Sequence, residues 1–184
     1  MKYHLFFTGE KGVGKSTLIR TILAGQTGKI GGFVTRKATD IFPGKVSLHL
    51  LCMSHEDAPS VNNFLFFCGG QAHTNCARSF DRLGCAALVA SRDAALLVMD
   101  ELGPGEEQAS QFHQAVLDTL GGNIPVVGVL QKGTSPFLNR VATHPRVRLV
   151  EVTAQNRDTL LSQLRGLEWF HNGEHFLPLH AGLY

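Results

Sequence analysis

Apolar positions along the chain follow two rhythms that alternate. Short, nearly continuous apolar runs occur at 2–8, 33–35, 46–53, 64–67, 94–99, 124–130 and 147–152. Runs of this length suit strands, and those at 94–99 and 124–130, which show no polar alternation, suit strands covered on both faces. Between the runs, apolar residues return every three or four positions, the period of a helix with one buried face. Leu18, Ile19, Ile22 and Leu23 do so after Lys15, with Gly25 placed to stop the helix. Ala77, Phe80, Gly84, Ala87 and Leu88 do so within 75–91, where Gly84 costs about 1 kcal/mol of helix propensity. Ala109, Phe112, Val116 and Leu120 mark a helix over 106–120. Leu160, Leu161, Leu164 and Leu167 mark another over 156–167, and a short helix is expected over 135–142. Gly28, Gly31 and Gly32 read as a turn before the second strand.

Strands alternating with helices predict an α/β three-layer fold, a mostly parallel central sheet with helices on both faces. Segment 37–75 departs from the alternation. Its two apolar runs flank the turn-rich stretch 57–63, which suggests a hairpin inserted at the sheet edge over about 44–68. No repeat or linker divides the chain, so residues 1–184 read as one domain with a tail over 168–184.

Composition narrows the picture. Charged residues are 17% of the chain, below the typical ~25%, and hydrophobic residues are 43%. A disordered chain needs the opposite balance. The net charge of +2 gives no basic surface for nucleic acid, so no nucleic-acid partner is expected. No apolar stretch approaches the ~20 residues that span a bilayer. The N-terminal residues lack a secretory pattern, so a cytoplasmic protein without a membrane partner is expected. Cys52, Cys68, Cys76 and Cys85 form no CxxC pair and are expected as reduced thiols. Cys68, His73 and Cys76 match no standard zinc spacing, and His171 and His175 of the tail make only a weak metal pair.

The twenty glycines are an excess, and some have a purpose. Gly9, Glu10, Lys11, Gly12, Val13, Gly14, Lys15, Ser16 and Thr17 fit the phosphate-binding pattern GxxxxGK[ST] in full, after a strand and before a helix. Glycines there let backbone N–H groups turn inward around a β-phosphate, and the helix aims its positive end at the same anion. Lys15 would reach the β- and γ-phosphate oxygens, and the Ser16 hydroxyl would ligate Mg²⁺. Such a metal needs a carboxylate at a nearby strand end. Asp100 follows the run at 94–99 and would hold the metal through its water shell; Glu101 would orient or deprotonate the attacking water. Gln131 ends the strand at 124–130 and is either a γ-phosphate sensor or part of a surface turn beside Lys132. An arginine finger could come from Arg36, Arg140 or Arg157, and spacing does not choose among them.

Four blocks carry a resemblance to a known family: the loop 9–17; Gly32, Phe33, Val34 and Thr35; the segment 98–103 with Phe112 beyond it; and the segment 150–158. In these the chain resembles the nucleoside-triphosphatase family of thermophile origin, the family of the cancer-related nucleoside triphosphatase. The resemblance implies a RecA-like P-loop NTPase domain. It implies Mg²⁺-dependent hydrolysis of ATP, GTP and other nucleoside triphosphates to diphosphate and phosphate, with low base selectivity. By position, Asn156 and Arg157 fall where many P-loop proteins contact the nucleobase; alternatively Asn156 caps a helix and Arg157 sits in a surface ion pair. The chain departs from the family pattern after residue 35 and at 103–106, where Pro104 and Gly105 replace a lysine and a methionine while Glu106 keeps its place. Two alternatives to the hydrolase stand beside it: a P-loop kinase with a small acceptor, and a nucleotide-switched binding module with little turnover. Homodimerisation and a protein partner are left open.

Overall fold

The computed structural model describes residues 4–69 and 76–165. The expectations for the tail 168–184, and for His73, His171 and His175, lie outside these residues. Seven strands form one sheet: β1 (His4–Thr8), β2 (Ile30–Ala38), β3 (Ser47–Cys52), β4 (Phe64–Phe67), β5 (Leu96–Leu102), β6 (Val126–Leu130) and β7 (Val147–Glu151). Five helices accompany them: α1 (Lys15–Ala24), α2 (Cys76–Val89), α3 (Ser110–Gly121), α4 (Pro136–Ala142) and α5 (Arg157–Leu164).

The strand order is β4-β3-β2-β5-β6-β1-β7. Pairs from β2 to β7 are parallel, whereas β3 and β4 pair antiparallel at one edge. Alternate side chains of β1 feed opposite cores. Phe6 packs with Phe33, Met99, Phe80, Phe112 and Phe137, beneath α2, α3 and α4. Leu5 and Phe7 pack with Leu18, Ile19, Ile22 and Leu160, beneath α1 and α5. That two-sided burial is why the central strands appear as unbroken apolar runs.

Several local expectations change. Gly31 and Gly32 lie inside β2, not in a turn before it, and pair with Leu97 and Val98. At Gly32, φ is +90° and a Cβ would lie 2.0 Å from the Val98 carbonyl oxygen, so only glycine fits there. Gly32 therefore lets β2 pack closely against β5, while Gly31 makes room for Ser91 and Ala94. Gly84 lies buried within α2, where the Phe112 ring occupies the space a Cβ would need. The strand β5 continues through Asp100 and Glu101 to Leu102. The helix α3 begins at Ser110, because Pro104–Glu106 form a separate 3-10 turn. No helix of the described residues is long and apolar enough to cross a membrane.

Candidate functional site

The loop between β1 and α1 has the backbone its glycines predict. Gly9, Gly12 and Gly14 have φ of 135°, 80° and 110°. Gly9 lies so close to β7 that a Cβ would meet the Val152 carbonyl oxygen at 2.3 Å. Gly14 stands at the start of α1 with no side-chain cap, so the first N–H groups of the helix are open to an anion. Lys15 is 8% exposed, and its ammonium donates to the Gly9 and Glu10 carbonyls, at 2.8 Å each. An ammonium has three N–H donors, so one remains for a phosphate oxygen.

The strand carrying Asp100 is not the immediate neighbour of β1; β6 lies between them. The two ends still converge, since the Ser16 hydroxyl donates to Asp100 Oδ1 at 3.3 Å. Burial pushes the Asp100 carboxyl up, the Ser16 hydrogen bond pulls it down, and the neighbouring Glu101 charge adds to the rise. A hydroxyl and a carboxylate at this spot are hard oxygen donors, the kind Mg²⁺ takes, so the residues fit that ion. Among the described residues no group of three or more His, Cys, Asp or Glu side chains is arranged to hold a metal.

Since β6 is the strand beside β1, Gln131 emerges between the loop and Glu101. Its Nε2 donates to Glu101 Oε1. Lys132, one residue on, pairs with Glu151 at 2.7 Å and Glu10 at 3.3 Å, an exposed bridge from the loop to β7. Gln131 thus has a specific carboxylate partner, which a plain surface turn would not supply.

Asn156 and Arg157 sit apart from these groups. Asn156 Oδ1 accepts the Thr153 N–H at 2.8 Å, and Thr153 Oγ1 accepts the Asn156 N–H at 3.2 Å. Asn156 Nδ2 also donates to the Glu151 carbonyl. Asn156 therefore braces the end of β7 and does not cap α5 with its own side chain; the reciprocal pair makes Thr153 the cap. The Arg157 stem lies against Gly14, since a Cβ there would meet Arg157 Cδ at 2.9 Å, and its guanidinium pairs with Asp158 at 2.9 Å.

A cleft of about 800 Å³ joins the phosphate loop to Glu101, Gln131 and Lys132. It continues over the sheet past Thr35 and Lys37 of β2 to Leu48 of β3 and Phe66 of β4. None of Arg36, Arg140 and Arg157 lines it. This far wall escaped the sequence reading, because it needs the antiparallel register that sets Lys37 opposite Leu48 and Leu48 opposite Phe66. Glu106 also lines the cleft and is 2% exposed. Its place in the family pattern singles Glu106 out in the sequence, but no local signal there shows that it is buried in the cleft wall.

Comparison with known proteins gives a consistent picture. A family model described as NTPase matches residues 4–165. The nucleoside-triphosphatase THEP1 of Thermotoga petrophila is 28% identical over 174 residues, spanning 92% of this chain and 95% of its own length. The protein of the same name from Methanosarcina barkeri is 30% identical over 168 residues, spanning 83% and 90%. The crystal structure of THEP1 from the hyperthermophile Aquifex aeolicus matches with a TM-score of 0.68 at 20% identity, covering 91% of this chain and 99% of that one, a likeness of fold.

Proposed function

The chain belongs to the NTPase family and is a nucleoside-triphosphatase, and from that premise we propose that it performs Mg²⁺-dependent hydrolysis of the γ-phosphate with Glu101 as the base. The observation that carries this reading is the pairing of two contacts at the loop's mouth: Ser16 with Asp100, and Gln131 with Glu101. The loop N–H groups and Lys15 bind the β- and γ-phosphates. Ser16 and Asp100 would hold Mg²⁺, which would neutralise charge on the phosphate oxygens when bound. Gln131 fixes one oxygen of Glu101, leaving the other to take a proton from water. The water oxygen bonds to the γ-phosphorus, the bond to the β-bridging oxygen breaks, and diphosphate and phosphate leave. Because the grip is on phosphates, ATP and GTP are both substrates. The 153–157 loop lies beside the nucleobase, with Asn156 as its brace and Arg157, already resting on Gly14, as the contact.

Phosphate release from ATP and GTP, with and without Mg²⁺, tests the reading. Glu101→Gln retains nucleotide binding and loses about 100-fold or more in phosphate release. Equal turnover in the two proteins would remove Glu101 from the role. The length of the cleft favours one second reading. Thr35, Lys37, Leu48 and Phe66 leave room beyond Glu101 for a small acceptor, so a kinase activity would appear as diphosphate formed without matching free phosphate when an acceptor is added.

A further inference from the structure

Among the described residues, Glu106 is the only acidic side chain that is almost wholly buried. Both its carboxyl oxygens lie 3.0 Å from the Gly103 N–H. Gly103 in turn sits tightly against Gln131: a Cβ there would lie 2.8 Å from Gln131 Cδ and 2.9 Å from Nε2. The Gln131 backbone N–H donates to the Leu102 carbonyl at 2.8 Å, and its side chain holds Glu101. An unbroken line of contacts therefore runs from Glu106 through Gly103 and Gln131 to Glu101.

The backbone N–H groups of Gly103 and of Glu106 itself both reach the carboxyl, but two neutral donors do not offset the burial of a carboxylate charge. The groups around Glu106 supply no cation. Glu101 faces it from β5. On α2, the Cys76 thiol donates to the Gly105 carbonyl at 3.1 Å, and Asp81 accepts the Phe112 N–H at 2.8 Å. On α3, His113 Nε2 hydrogen-bonds the Glu106 carbonyl at 2.7 Å, and its ring stacks on Phe137 at 3.9 Å. Burial pushes the His113 imidazole down, and Arg140 on α4 adds to that. Four lysines line the cleft, and no hydrogen bond or ion pair joins Lys11, Lys15, Lys37 or Lys132 to Glu106; Lys15 is bound to Gly9 and Glu10, and Lys132 to Glu10 and Glu151.

We propose that Glu106 is a positioning residue for hydrolysis, holding Glu101 in place through Gly103 and Gln131, and that it does so as the neutral acid. The proposal rests on the hydrolytic reading above. Burial raises the Glu106 carboxyl to about 8, with the Glu101 charge adding to the rise. Below that pH the carboxyl is uncharged. Above it, a second negative charge appears beside Glu101 and beside the bound triphosphate, and turnover falls.

The test is kcat for ATP hydrolysis between pH 6 and 10 in four proteins: wild type, Glu106→Gln, Glu106→Asp and Glu106→Ala. The wild type loses turnover above about pH 8, approaching tenfold per unit. Glu106→Gln, uncharged and of the same shape, keeps kcat within about threefold at pH 7 and loses that alkaline decline. Glu106→Ala removes the pin and lowers kcat about tenfold or more across the range, with KM changed less than about threefold. Glu106→Asp, too short to reach, falls between. A residue that only closed the 3-10 turn would lower the melting temperature and leave the alkaline decline in place. An identical decline in wild type and Glu106→Gln, or wild-type kcat in a folded Glu106→Ala, overturns the proposal. A wild type that releases no phosphate overturns the hydrolytic reading itself.

Discussion

At the N-terminal end of the parallel strands, His4 is fully buried, and each ring nitrogen has a backbone partner: Nε2 meets the Leu120 carbonyl at 2.8 Å, and Nδ1 accepts the Val126 N–H at 3.1 Å. At the C-terminal end, Lys15 and Glu106 are nearly as buried but keep hydrogen-bonding capacity to spare. The first set is closed and ties α3 and β6 to the start of β1. The second is open and converges on one cleft. Burial alone therefore does not mark a site in this fold; burial with unspent donors and acceptors does.

The sharpest way to break this contrast is to remove one group from each end. Lys15→Ala is expected to lower nucleotide affinity and phosphate release by about 100-fold or more while leaving urea stability within about 1 kcal/mol, because its burial serves the ligand. His4→Ala is expected to do the reverse. It strands a buried carbonyl and a buried N–H, costing about 2–4 kcal/mol in urea unfolding, with kcat unchanged at temperatures where the protein stays folded. The wild type should also show the His4 signature in its pH dependence. Burial lowers the His4 imidazole from 6.5 to about 4. The stability it supports is complete above pH 6.5 and is lost as pH falls through 4, by at most about 3 kcal/mol. An acid stability profile identical in wild type and His4→Ala would dissolve the distinction between the two ends.

How much of each end the sequence disclosed follows from locality. The phosphate loop was legible because nine consecutive residues make it and each glycine has a backbone reason to be there. The strands and helices were legible because two-sided burial leaves few polar residues in β1, β5 and β6. What was not legible depends on register between distant segments. The insertion of β6 between β1 and β5, which sets Gln131 against Glu101, is invisible in any local window. Gly31 and Gly32 looked like a turn because a strand interior rarely carries two glycines; the close approach of the β5 backbone and Ser91 explains them. The reach of the cleft to Lys37, Leu48 and Phe66 came from an antiparallel edge whose apolar runs announced strands but not partners. Glu106 keeps its place in the family pattern, but nothing local says that it is buried or that Phe66 and Phe80 pack across Gly105.

Smaller changes sharpen the same comparison. On the closed side, Ser91 Oγ donates to the Ala87 carbonyl at 2.6 Å and accepts the Gly32 N–H at 2.7 Å. Ser91→Ala strands that N–H at the point where β2 presses on β5, and should cost about 1–2 kcal/mol of stability without changing kcat.

On the open side, Gly103→Ala should cost almost no stability. Its φ of −148° is extended backbone that alanine adopts freely, and the added Cβ meets only the end of the Gln131 side chain. That amide must turn to make room, however, and turning it loosens its hold on Glu101. The expected result is a kcat about fivefold lower, roughly 1 kcal/mol, with KM and urea midpoint unchanged. A mutation near the buried core that spares stability and slows turnover is the reverse of Ser91→Ala. If Gly103→Ala instead unfolded the protein and left kcat intact, the contacts between Gly103 and Gln131 would belong with the closed, structural end of the sheet.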